Sequence, residues 1–112
     1  MWRILCACSG NFVVGASSIR YRRELGLGQA FQVETQVKCW DKQAFYLEHR
    51  FVKDGFVHAI VLIKNNVLGP KRPDEIVEIL YGEKKSSPEI PSDIQLWIQS
   101  NAASSAMLRK SL

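Results

Sequence analysis

The segment from residue 31 to residue 67 constrains the fold most, because it contains three strand-length stretches separated by two turn signals. In the first stretch, polar residues alternate with Phe31, Val33, Thr35, Val37 and Cys39. In the second, one parity carries Phe45, Leu47, His49 and Phe51. A period of two is typical of strands with one solvated face. The segment therefore predicts an antiparallel β-meander with a defined register.

The stronger turn signal is Asp54-Gly55, which lies between the second and third stretches. Both residue types tolerate positive φ, so the pair predicts a type I′ hairpin turn. The third stretch, residues 56–67, is apolar on both parities, and one of these places His58 with Ile60 and Leu62. A strand of this composition is expected at the centre of a sheet or covered on both faces.

A further strand is predicted before the meander, over residues 12–21. One parity of this strand carries Val13, Ile19 and Tyr21. After the meander, Pro73 and the two acids that follow it predict the start of a short helix that ends at Gly82. The sequence therefore predicts about four strands followed by helical structure.

A second helix is predicted from Ser92, which forms a capping-box pattern with Gln95. Helical spacing places Ile94, Trp97 and Ile98 on one face, which we expect to pack against the rest of the domain. The predicted fold class is α+β. Its parts are an N-terminal stub (residues 1–11), a sheet core (12–68) and a C-terminal helical extension (69–112).

Three stretches carry a family resemblance: GASSIRYRRELGLGQAFQVETQV, WDKQAFYLEHRFVKDGFVHAIVLIKNNVLG and PSDIQLWIQSNAASS. In this order, over residues 12–105, they resemble the thioesterase superfamily member six group. That group is a branch of the hotdog-fold, hydroxybenzoyl-CoA-thioesterase-like proteins. The resemblance implies a hotdog-like antiparallel sheet, an acyl-CoA or acyl-chain ligand, and a homodimer with ligand sites at the subunit interface.

The same resemblance bears on catalysis. The family's Asp-x-x-x-His-x-Asn-type motif leads into a long central helix, and both would fall before residue 1. We therefore expect an N-terminally truncated chain that lacks most of the central helix and its own catalytic motif. The interpretation is an acyl-CoA thioesterase-like protein of doubtful hydrolase activity. The alternative is a non-catalytic module that binds an acyl chain or a protein partner and dimerises through a sheet edge.

Composition excludes several other classes. The chain has 112 residues, enough for one domain, and its charge of +4 comes from scattered basic residues, so we expect no nucleic-acid partner. Three cysteines without a CxxC pair argue against a disulfide framework and a zinc site. No run of 18 apolar residues suits a transmembrane segment. We expect a location in the cytoplasm or at the periphery of an internal membrane rather than secretion, and no cofactor.

A few residues are candidates for chemistry. His49 and His58 are candidate general bases, and packing histidines are the simpler interpretation. Asp41 is a third catalytic candidate, although turn geometry also explains an Asp at this position. Glu48 is interpreted as a cross-strand partner of Lys38. Three arginines are candidates for binding the phosphates of a CoA-type ligand through their forked guanidinium donors: Arg20, Arg22 and Arg23. The alternative is that they lie at a solvated strand end and in the loop after it.

Overall fold

A computed structural model describes residues 12–26 and 28–111. The elements are β1 (Phe12–Tyr21), β2 (Gln32–Trp40), β3 (Ala44–Lys53), β4 (Phe56–Val67), α1 (Pro73–Tyr81) and α2 (Ser92–Ser111). This arrangement confirms the predicted hotdog-like α+β class with four recognisable strands. The predicted N-terminal stub, with Cys6 and Cys8, lies outside the described residues.

The strands form one antiparallel sheet in the order β1-β4-β3-β2. The strand that is apolar on both parities, β4, lies inside the sheet, as predicted. The β3–β4 hairpin turns through Asp54 with φ of 52° and Gly55 with φ of 73°, which confirms the predicted type of turn. Among the described residues, the edge strands of the sheet are β1 and β2.

The two helices cover opposite faces of the sheet. We call face A the side that carries Val37, Phe45 and Leu47, and face B the side that carries Cys39, Ala44 and Tyr46. Helix α1 packs on face A through Ile76 and Val77. Helix α2 packs on face B through Ile94, Trp97 and Ile98. The apolar core is therefore divided into two layers by the sheet.

Helix α1 has defined ends. The Arg72 backbone N–H donates to Glu75 Oε1 at 3.3 Å, which satisfies one of the free donors at the helix start. At the other end Gly82 adopts φ of 73° and its N–H donates to the carbonyl of Glu78 at 2.8 Å. Only a residue that tolerates positive φ closes a helix this way at little cost, so the predicted stop at Gly82 is confirmed.

Helix α2 docks as predicted, but its start differs. The ring of Trp97 meets the ring of Tyr46 edge-on, with 6.4 Å between centroids, and Ile94 is fully buried beside it. The first helical hydrogen bond runs from the Gln95 N–H to the carbonyl of Pro91 at 2.9 Å. Ser92 is therefore the first residue inside the helix and not its cap, so the predicted capping box is wrong by one position.

Three β-bulges change which face several residues occupy. In β1 the register shifts at Gly15, where a Cβ would overlap the side-chain amide of Asn66. The shift places Val13 on face B and leaves Ile19 and Tyr21 on face A. The prediction that these three share one face is therefore wrong, because a bulge inserts one extra residue into the alternation.

The other two bulges act in the same way on β2 and β4. The shift between Val37 and Cys39 places Cys39 opposite Tyr46 on face B, so it does not share the face of Val37 as predicted. In β4 the partner of Phe51 is Ala59 and the partner of Val52 is Val57. His58 is thus the extra residue of a bulge, which corrects its predicted place on one parity with Ile60 and Leu62.

Neither helix in the described part of the chain combines the length and apolar composition needed to cross a bilayer.

Candidate functional site

One half of face A is largely apolar and carries several exposed side chains. Beyond the area covered by α1, the pairing of the four strands aligns two rows of side chains that run across the sheet. We call these rows the open half of face A: Tyr21, Ala59, Phe51 and Val33, followed by Ile19, Val61, His49 and Thr35. Ile19 is 54% exposed, Tyr21 64% and Val33 51%, although Ile and Val are among the residue types most often buried. Apolar exposure concentrated in one area is typical of a binding surface.

The opposite side of the same region differs in character. The corresponding rows on face B are largely polar, and they carry Ser18, Arg20, Glu34, Gln36, Glu48 and Arg50. Glu48 is buried and pairs with Arg50 Nε at 2.8 Å and with Lys38 Nζ at 3.6 Å, which confirms the predicted Lys38 contact. This half of face B is therefore compatible with exposure to solvent. The open half of face A, in contrast, is an apolar surface that lacks an apolar cover in the described structure.

His49 lies in the open half of face A. Its Nδ1 is 2.7 Å from Oγ1 of Thr35, the residue directly opposite on β2. The ring is half-buried, and its partner is a hydroxyl, not a carboxylate. An imidazole held this way can bind a polar group of a ligand, or exchange a proton with it, at the centre of an apolar surface.

His58 has different surroundings. Its Nδ1 lies 2.9 Å from the carbonyl of Phe56, and since a carbonyl only accepts, the proton is on Nδ1. The ring is 9% exposed and meets the rings of Phe31 and Phe56 edge-on at 5.4 and 5.6 Å. These contacts suit a packing residue near the start of β4.

Both carboxylate oxygens of Asp41 accept hydrogen bonds in and beside the turn between β2 and β3. Its Oδ1 accepts hydrogen bonds from the backbone N–H groups of Gln43 and Ala44, each at 2.8 Å. Its Oδ2 accepts a hydrogen bond from the Tyr46 hydroxyl at 2.9 Å. A carboxylate that accepts from three donors in fixed positions stabilises a turn. Its hydrogen bonds therefore connect Asp41 to the turn and to Tyr46.

Two of the three candidate arginines are brought together. The guanidinium carbons of Arg22 and Arg23 lie 4.7 and 3.8 Å from the centroid of the Phe56 ring. Their backbone N–H groups both donate to the carbonyl of His58, at 2.7 and 3.1 Å. We call this group the arginine pair. Arg20 differs, because its register position opposite Ile60 belongs to face B.

The arginine pair is free of acidic partners within residues 12–26 and 28–111: the ion pairs of this region involve other basic residues. The pair follows Tyr21 directly, and Tyr21 is the last face A residue of β1. Two guanidinium groups held over one ring, next to an apolar surface, can bind an anionic group attached to an apolar one.

Buried groups near the α2 contact are held neutral. Burial raises the pKa of the Cys39 thiol to about 11, and the negative charges of Asp41 and Asp93 add to this effect. Burial and the hydrogen bond to Asp41 also raise the pKa of the Tyr46 hydroxyl. Cys39 is therefore an unreactive packed thiol in the folded chain. No cluster of three or more metal-ligating side chains occurs in the described residues.

Sequence reasoning did not single out Thr35 or Phe56. Thr35 appears only as a small member of the β2 alternation, and its contact with His49 depends on the β2–β3 register. Phe56 appears as the first residue after a hairpin turn, and its role under the arginine pair depends on β1 returning beside β4. The adjacent arginines were the available signal for the second feature.

Comparison with known proteins shows which family the chain resembles. The thioesterase-like superfamily matches residues 2–98. Protein THEM6 of Danio rerio is 45% identical over 105 residues, which cover 92% of this chain and 52% of that protein. Protein THEM6 of Xenopus laevis is 38% identical over 111 residues, which cover 97% of this chain and 53% of that protein. The chain thus spans about half the length of the relatives it matches.

A solved structure is also similar. It is a thioesterase from Thermus thermophilus, crystallised with coenzyme A and Zn, with a TM-score of 0.48 and 26% sequence identity. The similarity covers 62% of this chain and 59% of that one. The superfamily match and the identity to the THEM6 proteins show that this chain belongs to the thioesterase-like superfamily.

Proposed function

We propose that this chain binds an acyl-CoA thioester without hydrolysing it at a significant rate. The acyl chain lies on the open half of face A, and the arginine pair contacts the phosphates of the coenzyme. The observation that carries this proposal is the position of an exposed apolar surface directly beside two guanidinium groups that lack acidic partners among the described residues. An acyl-CoA has the same arrangement, with a long apolar chain attached to a polyanion.

The apolar part of the proposal rests on the residues of the two open rows. Ile19, Tyr21 and Val33 expose about half or more of their surface, and Phe51 and Val61 lie between them, half-buried. Covering apolar surface contributes about 25 cal/mol per Å². An acyl chain laid across these rows would gain this contribution and would carry its thioester close to His49.

The anionic part rests on how the arginines are held. Stacking on Phe56 restricts both arginine side chains, and the backbone N–H contacts with the His58 carbonyl fix the segment that carries them, so less conformational entropy is lost when a phosphate binds. Bidentate hydrogen bonds between guanidinium and phosphate are among the stronger polar contacts in proteins. Membership of the thioesterase-like superfamily supports CoA as the source of these phosphates.

The low hydrolysis rate follows from how the candidate groups are used. Thioester hydrolysis needs a base or nucleophile and donors for the oxyanion. Asp41 is held in a turn, Glu48 is buried between two basic residues on face B, and His58 packs among aromatic rings. His49 remains, and within the described residues its hydrogen-bond partner is Thr35, which cannot orient a charged imidazole as a carboxylate does.

We also propose that the chain forms a homodimer, as expected from the resemblance, and that the two copies pair through β1 or β2, the edge strands among the described residues. An edge strand exposes unpaired backbone groups that a second copy can pair with. A module that binds protein partners instead of an acyl chain is the alternative function. In that case the open half of face A would be the surface that the partner covers.

The acyl contact is tested with a matched pair of variants. Ile19→Asp places a charge on the open half of face A, and Val13→Asp places one on the same edge strand but on face B, where Val13 is 48% exposed. We expect Ile19→Asp to weaken binding of a long-chain acyl-CoA at least about tenfold, since a charge is costly in an apolar contact. Val13→Asp should bind like the parent chain.

The measurement is a calorimetric titration with long-chain acyl-CoA, accompanied by a turnover assay and by light scattering for the oligomeric state. Equal binding by both variants would exclude face A as the acyl site. Saturable turnover that is lost in His49→Ala would contradict the absence of hydrolysis. A chain that binds no acyl-CoA would leave the partner-binding alternative as the better explanation.

The arginine pair needs a ligand comparison. We expect the double variant Arg22→Gln, Arg23→Gln to bind acyl-CoA about tenfold or more weakly, because charge-assisted hydrogen bonds are lost. Binding of the corresponding free fatty acid should change little. Arg109→Gln, at the exposed end of α2, is the control for net charge, and Arg20→Gln tests whether the third arginine contributes. An equal loss for acyl-CoA and fatty acid would contradict phosphate recognition.

A further inference from the structure

The linker between the two helices is hydrogen-bonded to the end of β2 through the side chain of one serine. The Trp40 backbone N–H donates to Oγ of Ser87 at 2.9 Å, across 47 positions of sequence. Ser87 Oγ in turn donates to the carbonyl of Pro88 at 3.1 Å. The segment from residue 84 to residue 91 contains no helix or strand, so this hydroxyl fixes an otherwise irregular segment.

The same serine has the sequence context of a modification site. It lies in Lys84-Lys85-Ser86-Ser87-Pro88, where a serine is followed directly by proline in an irregular segment. The residue before proline favours an extended backbone, which is the conformation in which a kinase groove accepts a substrate. Ser86 is the neighbouring serine without a following proline, and it provides an internal comparison.

We propose that Ser87 is a phosphorylation site for a proline-directed protein kinase, and that phosphorylation releases the linker from β2 and loosens α2. The reaction transfers the γ-phosphoryl group of ATP. A bond forms between Ser87 Oγ and the γ-phosphorus while the bond from that phosphorus to the bridging oxygen of ADP breaks. The hydroxyl proton passes to the base of the kinase, and ADP leaves. This inference is independent of the proposed acyl-CoA binding.

Release follows from the surroundings of the hydroxyl. Ser87 borders a surface hollow of about 310 Å³ that is also lined by Trp40, Asp74, Glu78, Lys84, Lys85 and Ser86. A phosphoserine brings a charge of about −1.5 to −2. Asp74 and Glu78 repel this charge. Lys85 already lies 3.9 Å from Glu83 and 4.7 Å from the centroid of the Tyr81 ring, so the phosphate competes for it.

The esterified oxygen also loses its own contacts. It has no proton to donate to the Pro88 carbonyl, and its position beside the Trp40 N–H is disturbed by the bulk of the phosphate. That N–H belongs to the peptide bond between Cys39 and Trp40. Cys39 is fully buried on face B, where Ile94 of α2 covers it. Loosening at Ser87 therefore increases the exposure of the Cys39 thiol, which can be measured as its rate of alkylation.

The experiment uses the full chain with Cys6→Ser and Cys8→Ser, so that Cys39 is the only thiol. It is treated with a proline-directed serine kinase and ATP, and phosphate is located by mass spectrometry. Alkylation of Cys39 is then followed at fixed pH. We expect incorporation at Ser87 and not at Ser86, and an alkylation rate about three- to tenfold higher, as for local opening that is eased by about 1 kcal/mol.

Two variants make the test specific. Ser86→Ala should keep both incorporation and faster alkylation. Pro88→Ala keeps the Ser87 hydroxyl but removes the kinase signal, so kinase treatment should leave its alkylation rate unchanged. The proposal is overturned if the folded chain gains no phosphate at Ser87. It is equally overturned if phosphorylated chain alkylates at the rate of the untreated chain, because the linker then stays in place.

Discussion

The Tyr46 hydroxyl donates a hydrogen bond to Oδ2 of Asp41 at 2.9 Å and ties strand β3 to the turn that precedes it. The other carboxylate oxygen of Asp41 accepts two backbone N–H groups of the same turn. A single side chain thus satisfies three donors at the point where the chain reverses between β2 and β3. These contacts indicate a structural role for Asp41 in the turn.

Asp41→Ala is therefore expected to lower the free energy of unfolding by about 2 to 4 kcal/mol, because it removes three hydrogen bonds that each contribute about 0.5 to 1.5 kcal/mol at this partly exposed site. Tyr46→Phe removes only one of the three contacts and should cost about 1 kcal/mol. Urea unfolding followed by circular dichroism measures both. If Asp41→Ala kept full stability and lost only ligand binding or turnover, the structural role would be wrong.

Gly55 offers a test of backbone conformation without a steric complication. Its φ is 73°, and a Cβ at this position would meet no atom within 4 Å. Gly55→Val should destabilise the domain by about 1 kcal/mol or more, since a β-branched residue adopts positive φ at a cost. Gly55→Asn should cost less, because Asn tolerates this region. Equal melting temperatures for the two variants would contradict the turn assignment.

Much of the fold was predictable from sequence because the local signals agree with one another. Alternation located the strands, Asp54-Gly55 located the hairpin, and Gly82 located the end of α1. The bulges could not be predicted in this way. A strand with an extra residue has the same composition as one without it, and only pairing with its neighbour reveals the change. His58 and Cys39 therefore needed the structure to locate them.

The candidate site was predictable only in part. The pattern of β3 placed His49 on an apolar parity, and the arginines were visible as a cluster. Their arrangement depends on long-range register, which brings Thr35 opposite His49 and Phe56 beneath the arginine pair. The amphipathic pattern of α2 indicated that it docks, but no local feature indicated which face of the sheet it would cover.

Docking of α2 is tested by two neighbouring residues. Trp97 contacts Tyr46 on face B, whereas Leu96 is 66% exposed. Trp97→Ala should lower the free energy of unfolding by about 2 to 3 kcal/mol, less than for a fully buried tryptophan because Trp97 is only partly buried. Leu96→Ala should stay within about 0.5 kcal/mol of the parent. Similar losses for both would mean that α2 does not use this face.

Cys39 and Tyr46 predict how stability changes in alkaline solution. The thiol has an ordinary pKa of 9.0, and in the folded chain its pKa is about 11. Between these values the unfolded chain has largely lost this proton while the folded chain keeps it. Raising the pH through this window therefore favours unfolding. Tyr46 adds to the effect above its ordinary pKa of 10.0, because its pKa is raised as well.

We expect the free energy of unfolding to fall as the pH rises from about 9 towards 11, measured by urea titration at closely spaced pH values. Cys39→Ala is less stable at neutral pH because it leaves a small cavity, but its stability should fall less steeply across the same window. Tyr46→Phe should flatten the curve only in its upper part, above about pH 10. If Cys39→Ala showed the same slope as the parent chain, the thiol under α2 would not be the group that titrates. The packing of α2 over Cys39 would then be wrong.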